Sequence, residues 1–164
     1  MKNAHCSHCG VAFVVGAPWP RRCGGCGATS YINPIPVAVV LLPVDDGVLA
    51  IRRAAGPHNP GGGRLALPGG YVDFGERWQQ AAVRELREET GIVVDVDGLR
   101  LLTVEKGGDG SLLIFGVAPR QRETELPAFV ASAETSERVI LTAPVELAFG
   151  THTEVLARFF QRSG

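Results

Sequence analysis

The chain has 164 residues, 45% hydrophobic and 20% charged, with a formal net charge of -1. That length carries one ordinary α/β domain and a small appendage, and leaves no room for a second large domain. The near-neutral balance excludes a general electrostatic attraction to nucleic acid or an anionic membrane, so any polyanion has to be gripped locally.

The chain opens with MKNAHCSHCG, which has no apolar signal segment, and the expectation is a cytoplasmic protein. All four cysteines follow at once, as Cys6-x2-Cys9 and Cys23-x2-Cys26, each pair closed by a glycine, Gly10 or Gly27. A Cys-x-x-Cys turn brings two thiolates to one Zn2+, and the following glycine supplies the left-handed backbone that such a turn needs. Four sulfurs would complete a tetrahedral site with no open position, so Zn2+ here would be structural. Some thirty residues bury too little surface to fold unaided, and metal binding would supply the difference. A disulfide pair or free thiols are the competing readings, while His5 and His8 read as bystanders. Arg21 and Arg22 offset the charge of a zinc tetrathiolate, and Trp19 is expected to pack the ribbon against the main domain. Together, Arg21, Arg22 and Trp19 also offer a small basic, aromatic surface.

Asn33-Pro34-Ile35-Pro36 marks a boundary, giving a ribbon at 1–32 and a main domain at 33–164. Val37 to Val44 reads as a buried strand, too short and too bounded by Pro and Asp to span a bilayer. Asp45-Asp46-Gly47 reads as a hairpin turn, and Val48 to Arg52 as the partner strand. Gly56 to Gly63 is too rich in glycine for regular structure. Asp73-Phe74-Gly75-Glu76 has the form of a capping box with Asp73 as N-cap, opening a helix that stops at Gly91. Further strands are expected at Leu99 to Glu105, Leu112 to Val117 and Val139 to Leu141. Thr151-His152-Thr153-Glu154 caps a last helix whose Val155, Leu156, Phe159 and Phe160 face inward. Strands on both sides of two helices predict an α/β/α sandwich with a mixed sheet.

Within the first helix, RELREETGI puts Glu85, Glu88 and Glu89 on one side, because positions i, i+3 and i+4 lie within about 100° of one another. Like charges there repel, and near Gly91 they also meet the negative end of the helix dipole. A solvated acidic face is the bland explanation. The stripe, however, borders the apolar one of Ala82, Val83 and Leu86, and so faces a cleft.

From Gly70 the sequence runs Gly70, five residues, Glu76, seven residues, then Arg84-Glu85-Leu86-Arg87-Glu88-Glu89-Thr90-Gly91-Ile92. This resembles the signature box of the Nudix hydrolases at every defined position. The resemblance implies a Nudix-type α/β/α sandwich behind a small four-cysteine zinc ribbon. It also implies that Glu85, Glu88, Glu89 and the carbonyl of Gly70 hold Mg2+ or Mn2+, hard cations that prefer oxygen. Glu76 and Arg84 would then be an ion pair orienting the loop against the helix. The implied reaction is hydrolysis of a nucleoside diphosphate linked to another group, with Glu88 and Glu89 in the catalytic set. Glu89 or Glu137 is the expected general base, ahead of Glu134 and Glu105. Arg52 or Arg53 is the expected contact for a substrate phosphate, against the reading of ordinary surface charges. Phe74, Trp78 and Phe115 are either base-stacking or core residues.

A four-cysteine ribbon before such a domain is similar to the NADH pyrophosphatases, but their Ser-Gln-Pro-Trp-Pro-Phe type motif after the box is missing. Glu146-Leu147-Ala148-Phe149 followed by Thr151-His152, with the short ribbon, is closer to a second subgroup that includes FAD and ADP-ribose pyrophosphatases. The expected partner is a small-molecule nucleotide, with no membrane, and with nucleic acid held, if at all, through the ribbon; a homodimer is compatible with the resemblance. The alternative is a nucleotide-sensing regulatory or nucleic-acid-binding module without turnover.

Overall fold

In the computed structural model, residues 3–57, 59–108 and 110–163 are described. The chain divides into two compact units, Met1–Pro34 and Ile35–Gly164.

In the first unit β1 (Arg21–Arg22) pairs antiparallel with β2 (Thr29–Ser30). The two cysteine turns are built alike. Gly10 N–H donates to the Cys6 carbonyl at 2.9 Å, and Gly27 N–H to that of Cys23 at 2.9 Å. Both glycines adopt left-handed backbone, with φ of 76° and 75°. Trp19 turns its ring to Arg21, whose guanidinium carbon lies 4.4 Å from the ring centroid, and stands edge-on to Phe13.

The second unit grows from β3 (Ile35–Leu41), whose unbroken apolar run lets both faces be buried. Ala38, Val40 and Leu42 turn to one core with Ala81, Ala82 and Leu86 of α1 (Trp78–Thr90). Val39 and Leu41 turn to the other, with Val155 and Leu156 of α2 (Gly150–Ser163). After β4 (Pro43–Val44) a tight turn leads into β5 (Gly47–Arg53). Beyond the glycine-rich loop come β6 (Leu65–Ala66) and β7 (Gly69–Tyr71). The remaining strands are β8 (Arg100–Lys106), β9 (Ser111–Val117) and β10 (Thr135–Leu141).

One sheet has the order β7-β3-β9-β8, with β3 and β9 parallel and the other pairs antiparallel, so it is mixed. The other is antiparallel, β10-β5-β4, with β6 also on β5. The α/β/α arrangement with its mixed sheet is the one expected from the pattern of elements.

Four local expectations are corrected. The strand expected from Val37 to Val44 splits into β3 and β4, which lie in different sheets. The last helix, α2, starts at Gly150, so that Thr151 lies inside it and is not its cap. The first helix starts at Trp78, not at Asp73. Gly75 has φ +83°, which no right-handed helix accommodates, so the box bond from the Asp73 N–H to Glu76 Oε2 at 3.2 Å closes a turn and not a helix, and Arg84 takes the same carboxylate. The cap is made later, by Gln80 Oε1 accepting from Arg77 N–H at 2.9 Å. Similarly, Glu137 lies inside β10, opposite Arg52, instead of just before the strand.

Candidate active site

The carboxylates of α1 meet the loop that precedes it at β7. Gly70 is pressed against Glu85 so closely that a Cβ there would stand inside the Glu85 carboxyl group. Only glycine brings the backbone so near. One residue earlier, Gly69 N–H donates to Glu89 Oε2 at 2.8 Å.

Arg84 organises the rest. Its Nε and Nη2 fork onto the two Glu76 oxygens, each at 3.1 Å, and Nη2 also donates to the Tyr71 carbonyl at 2.9 Å. Nη1 reaches Glu85 Oε1 at 2.7 Å and Glu88 Oε2 at 3.4 Å. Arg84 therefore ties the entry loop to the helix and also lies between two of the three acids. Its positive charge answers the repulsion along the stripe. The Glu76 carboxyl is held below its usual range by the Arg84 bonds.

Burial dominates at the other two acids. Glu89 is 5% exposed, and loss of water pushes its carboxyl to about 8, against the pull of the Gly69 N–H; the charge of Glu85 adds to the rise and that of Arg53 opposes it. Glu85 is also raised, by burial first, with Arg84 opposing and Glu88 and Glu134 adding. A buried carboxylate with one hydrogen bond and acidic neighbours is stabilised by a divalent cation. Oxygen donors alone, beside a glycine that leaves its carbonyl uncrowded, suit Mg2+ or Mn2+ better than a softer metal.

The loop before β10 carries a further acid, Glu134. Glu134 is the residue of that loop whose charge is felt at both Glu85 and Glu89. Its backbone is fixed from two sides. Ser132 Oγ accepts from the Glu134 N–H at 3.2 Å, and the Glu134 carbonyl accepts from Ala54 N–H at 2.7 Å. Glu137 instead forms an ion pair with Arg52 Nε at 2.6 Å. Glu105 pairs with Arg158 of α2 at 2.8 Å.

At the end of β5 the two arginines part. Arg52 turns to Glu137 and to the Gly63 carbonyl at 3.2 Å. Arg53 donates to the Pro60 carbonyl at 2.8 Å and to Asn59 Oδ1, and its guanidinium lies over Phe149, 5.5 Å from the ring centroid. Phe149 in turn meets His152 edge to face, with centroids 5.0 Å apart, and His152 meets Phe115 at 5.5 Å. His152 is buried, so its imidazole is pushed down to about 4, with Arg53 adding to the fall. Of the aromatic candidates, Phe115 is fully buried and Trp78, the first residue of α1, packs on the core, while Phe74 is fully exposed.

In the ribbon unit the Sγ atoms of Cys6, Cys9, Cys23 and Cys26 lie within 4.8 Å of one another, and none of the four is in a disulfide. Cys6 and Cys26 are 3.8 Å apart, Cys9 and Cys23 3.5 Å. A tetrahedron with Zn–S bonds of about 2.3 Å has edges of about 3.8 Å, so the spacing fits that ion. Backbone N–H groups of His8 and Gly25 point at the Cys6 and Cys23 sulfurs, both at 3.4 Å, and such donors hold those two thiols below their ordinary range, Cys6 at about 6. The four cysteines are clustered as in a zinc ribbon.

A mixed-sheet α/β/α fold whose box helix carries three acids against a glycine turn defines a class, and the NUDIX domain family matches residues 33–161. The chain belongs to the Nudix family. Among curated proteins it is 39% identical over 69 residues to an ADP-ribose pyrophosphatase of Methanocaldococcus jannaschii, covering 42% of this chain and 39% of that protein. It is 33% identical over 99 residues to the NAD-capped RNA hydrolase NudC of Edwardsiella ictaluri, covering 60% of this chain and 36% of that one. The chain thus spans less than half the length of the curated relatives it matches. A NUDIX hydrolase of Nitrosomonas europaea has the same fold, with a TM-score of 0.70 at 24% identity over 96% of this chain and 90% of that one. The bifunctional NMN adenylyltransferase/ADP ribose pyrophosphatase of Francisella tularensis, complexed with AMP and a manganese ion, gives 0.66 at 21% identity, over 82% and 43%.

Proposed function

We propose that the chain is a Mg2+-dependent pyrophosphohydrolase that cleaves the diphosphate of a nucleoside diphosphate linked to a second group, of the ADP-ribose, NADH or FAD type. The observation that carries this is the stripe of Glu85, Glu88 and Glu89, tied by Arg84 and packed on the Gly69-Gly70 turn, with every box position filled. The names of the two curated relatives support the substrate class, since ADP-ribose and an NAD cap share that linkage.

In this reading Glu85, Glu88, Glu89 and the Gly70 carbonyl hold Mg2+ or Mn2+, which supplies charge neutralisation at the diphosphate and a more acidic bound water. Arg84 and Glu76 keep the acids and the turn in register. A water oxygen bonds to one phosphorus, the bridging P–O bond breaks, and the leaving phosphate departs with that electron pair. The water proton passes to a carboxylate of the cluster, Glu89 or Glu134; Glu137 can serve only if Arg52 releases it. Arg53 meets the diphosphate with the N–H groups that Pro60 and Asn59 leave unused. Zn2+ on the four cysteines is structural, because four protein ligands leave no site for chemistry.

The test is a substrate panel with Mg2+, comparing the wild type with Glu88→Gln and identifying products chromatographically. ADP-ribose, NADH, FAD, an NAD-capped RNA and a deoxynucleoside triphosphate make up the panel. Cleavage of one compound into two phosphorylated products, reduced at least about a hundredfold by the mutation, is expected. Tight binding of one compound with no turnover of any would replace the enzyme with a nucleotide sensor.

A further inference from the structure

Arg53 and Glu134, whose charges both act on Glu89, come from elements far apart in sequence, and one side chain joins them. Asn59 lies in the glycine-rich loop, half-buried. Its Oδ1 accepts from Arg53 Nη2, and its Nδ2 donates to the Ala54 carbonyl at 2.7 Å and, at 3.4 Å, to the Glu134 carbonyl. The amide has only one orientation consistent with these partners, because a guanidinium can only donate and carbonyls can only accept. The side chain thus uses its oxygen and both amide hydrogens at once.

The loop presents Asn59 by folding back on β5. Gly63 N–H donates to the Arg53 carbonyl at 2.8 Å, Arg53 N–H to the Arg64 carbonyl at 3.0 Å, and Gly62 N–H to the Asn59 carbonyl at 2.9 Å. Pro60 then offers its carbonyl to Arg53 Nε, and Phe149 supports the guanidinium from one side. A free arginine side chain loses considerable rotamer entropy when a phosphate immobilises it. Here that entropy is lost on folding, before a ligand arrives.

We propose that Asn59 is a positioning residue: its one amide holds the Arg53 guanidinium in a preset orientation and ties the backbone of Glu134 to the same loop, so that a diphosphate meets a fixed cation beside the acids. This rests on the pyrophosphohydrolase reading and goes beyond it, because it states which residue makes Arg53 competent.

Two measurements on the full chain test it. In the ligand-free protein, the Arg53 Nε–H gives a resolved 15N resonance, assigned by its loss in Arg53→Lys. It is expected to vanish or exchange rapidly in Asn59→Ala while backbone amide resonances away from the loop stay in place. In steady-state kinetics on the active panel compound, Asn59→Ala and Arg53→Ala are each expected to raise KM about tenfold or more. In KM the double variant should then be no worse than Arg53→Ala alone, since both changes remove the Asn59–Arg53 bond, while the tie to Glu134 that Asn59→Ala also loses is read in kcat. Multiplying KM effects, or an Arg53 resonance unchanged in Asn59→Ala, would overturn the proposal. A wild type that turns over nothing while the resonance behaves as expected would remove the enzymatic reading and leave the clamp standing.

Discussion

At the scale of single residues, the site is a contest between burial and charge. Glu89 is the most deeply buried acid of the stripe, and the charge of Glu134 acts on it from a loop 45 positions later in the chain. Because Glu137 is engaged by Arg52, Glu134→Gln is expected to lower kcat about a hundredfold and Glu137→Gln less than tenfold. Steady-state kinetics of the two variants check this, and the reverse order moves the base to Glu137. His152 is a second contest. Its folded value near 4 lies below the ordinary 6.5, because the neutral ring is buried against Phe115 and Phe149 with the charge of Arg53 nearby. The stability it contributes is fully present above pH 6.5 and is lost as the pH falls toward 4, since the unfolded chain takes up the proton first. Between pH 7 and pH 5 the loss is about 2 kcal/mol, at about 1.36 kcal/mol per pH unit. Urea denaturation at the two pH values should show it in the wild type, and His152→Phe should lose that much less, whatever its absolute stability.

At the scale of elements, α1 has to end well despite acids in its last turns. Gly91 takes left-handed backbone with φ 76° and returns its N–H to the Arg87 carbonyl at 2.8 Å. Arg138 of β10 then donates to the Thr90 carbonyl at 3.2 Å and to the Pro127 carbonyl at 2.8 Å, placing a cation at the negative end of the helix. Its guanidinium also lies over Phe129, so one side chain ties the helix end to the start of the loop that carries Glu134. Arg138→Met keeps the apolar stem and leaves two carbonyls without this donor. The expected cost is about 1–3 kcal/mol in urea denaturation, with a fall in activity as the loop loosens. Unchanged stability would mean that water serves those carbonyls equally well.

At the scale of the whole molecule, the two units have separate reasons to fold. The second has two apolar cores, one on each face of β3. Among the described residues the first buries little beyond Cys6 and Cys23, so Zn2+ held by the four thiolates would be its main source of stability. One zinc per chain is expected by atomic absorption. Removal by a chelator should abolish hydrogen-exchange protection over residues 3–34 and leave the strands and helices of 35–163 protected. Retained protection in the first unit after complete removal would show that the metal is dispensable there. Among the described residues no helix is long and apolar enough to cross a membrane.

The sequence by itself determined the longer strands and both helices, the burial of the strand that became β3, the acid stripe of α1 and the two cysteine pairs. Each depends on residues close together in the chain, where a period of two or 3.6, or a fixed spacing, leaves a readable mark. The start of α1 was misplaced because the Asp73 to Glu76 pattern is a sound cap locally and even makes its Asp73 N–H to Glu76 bond, but Gly75 turns left-handed and no helix follows until Trp78. Only the tertiary structure decided that Glu137 faces Arg52, that Glu134 adds its charge to the acids, and that Asn59 and Arg138 join distant loops. Those contacts link residues separated by up to 85 positions through register and strand pairing, and no local pattern encodes which side chains a folded sheet brings into one field.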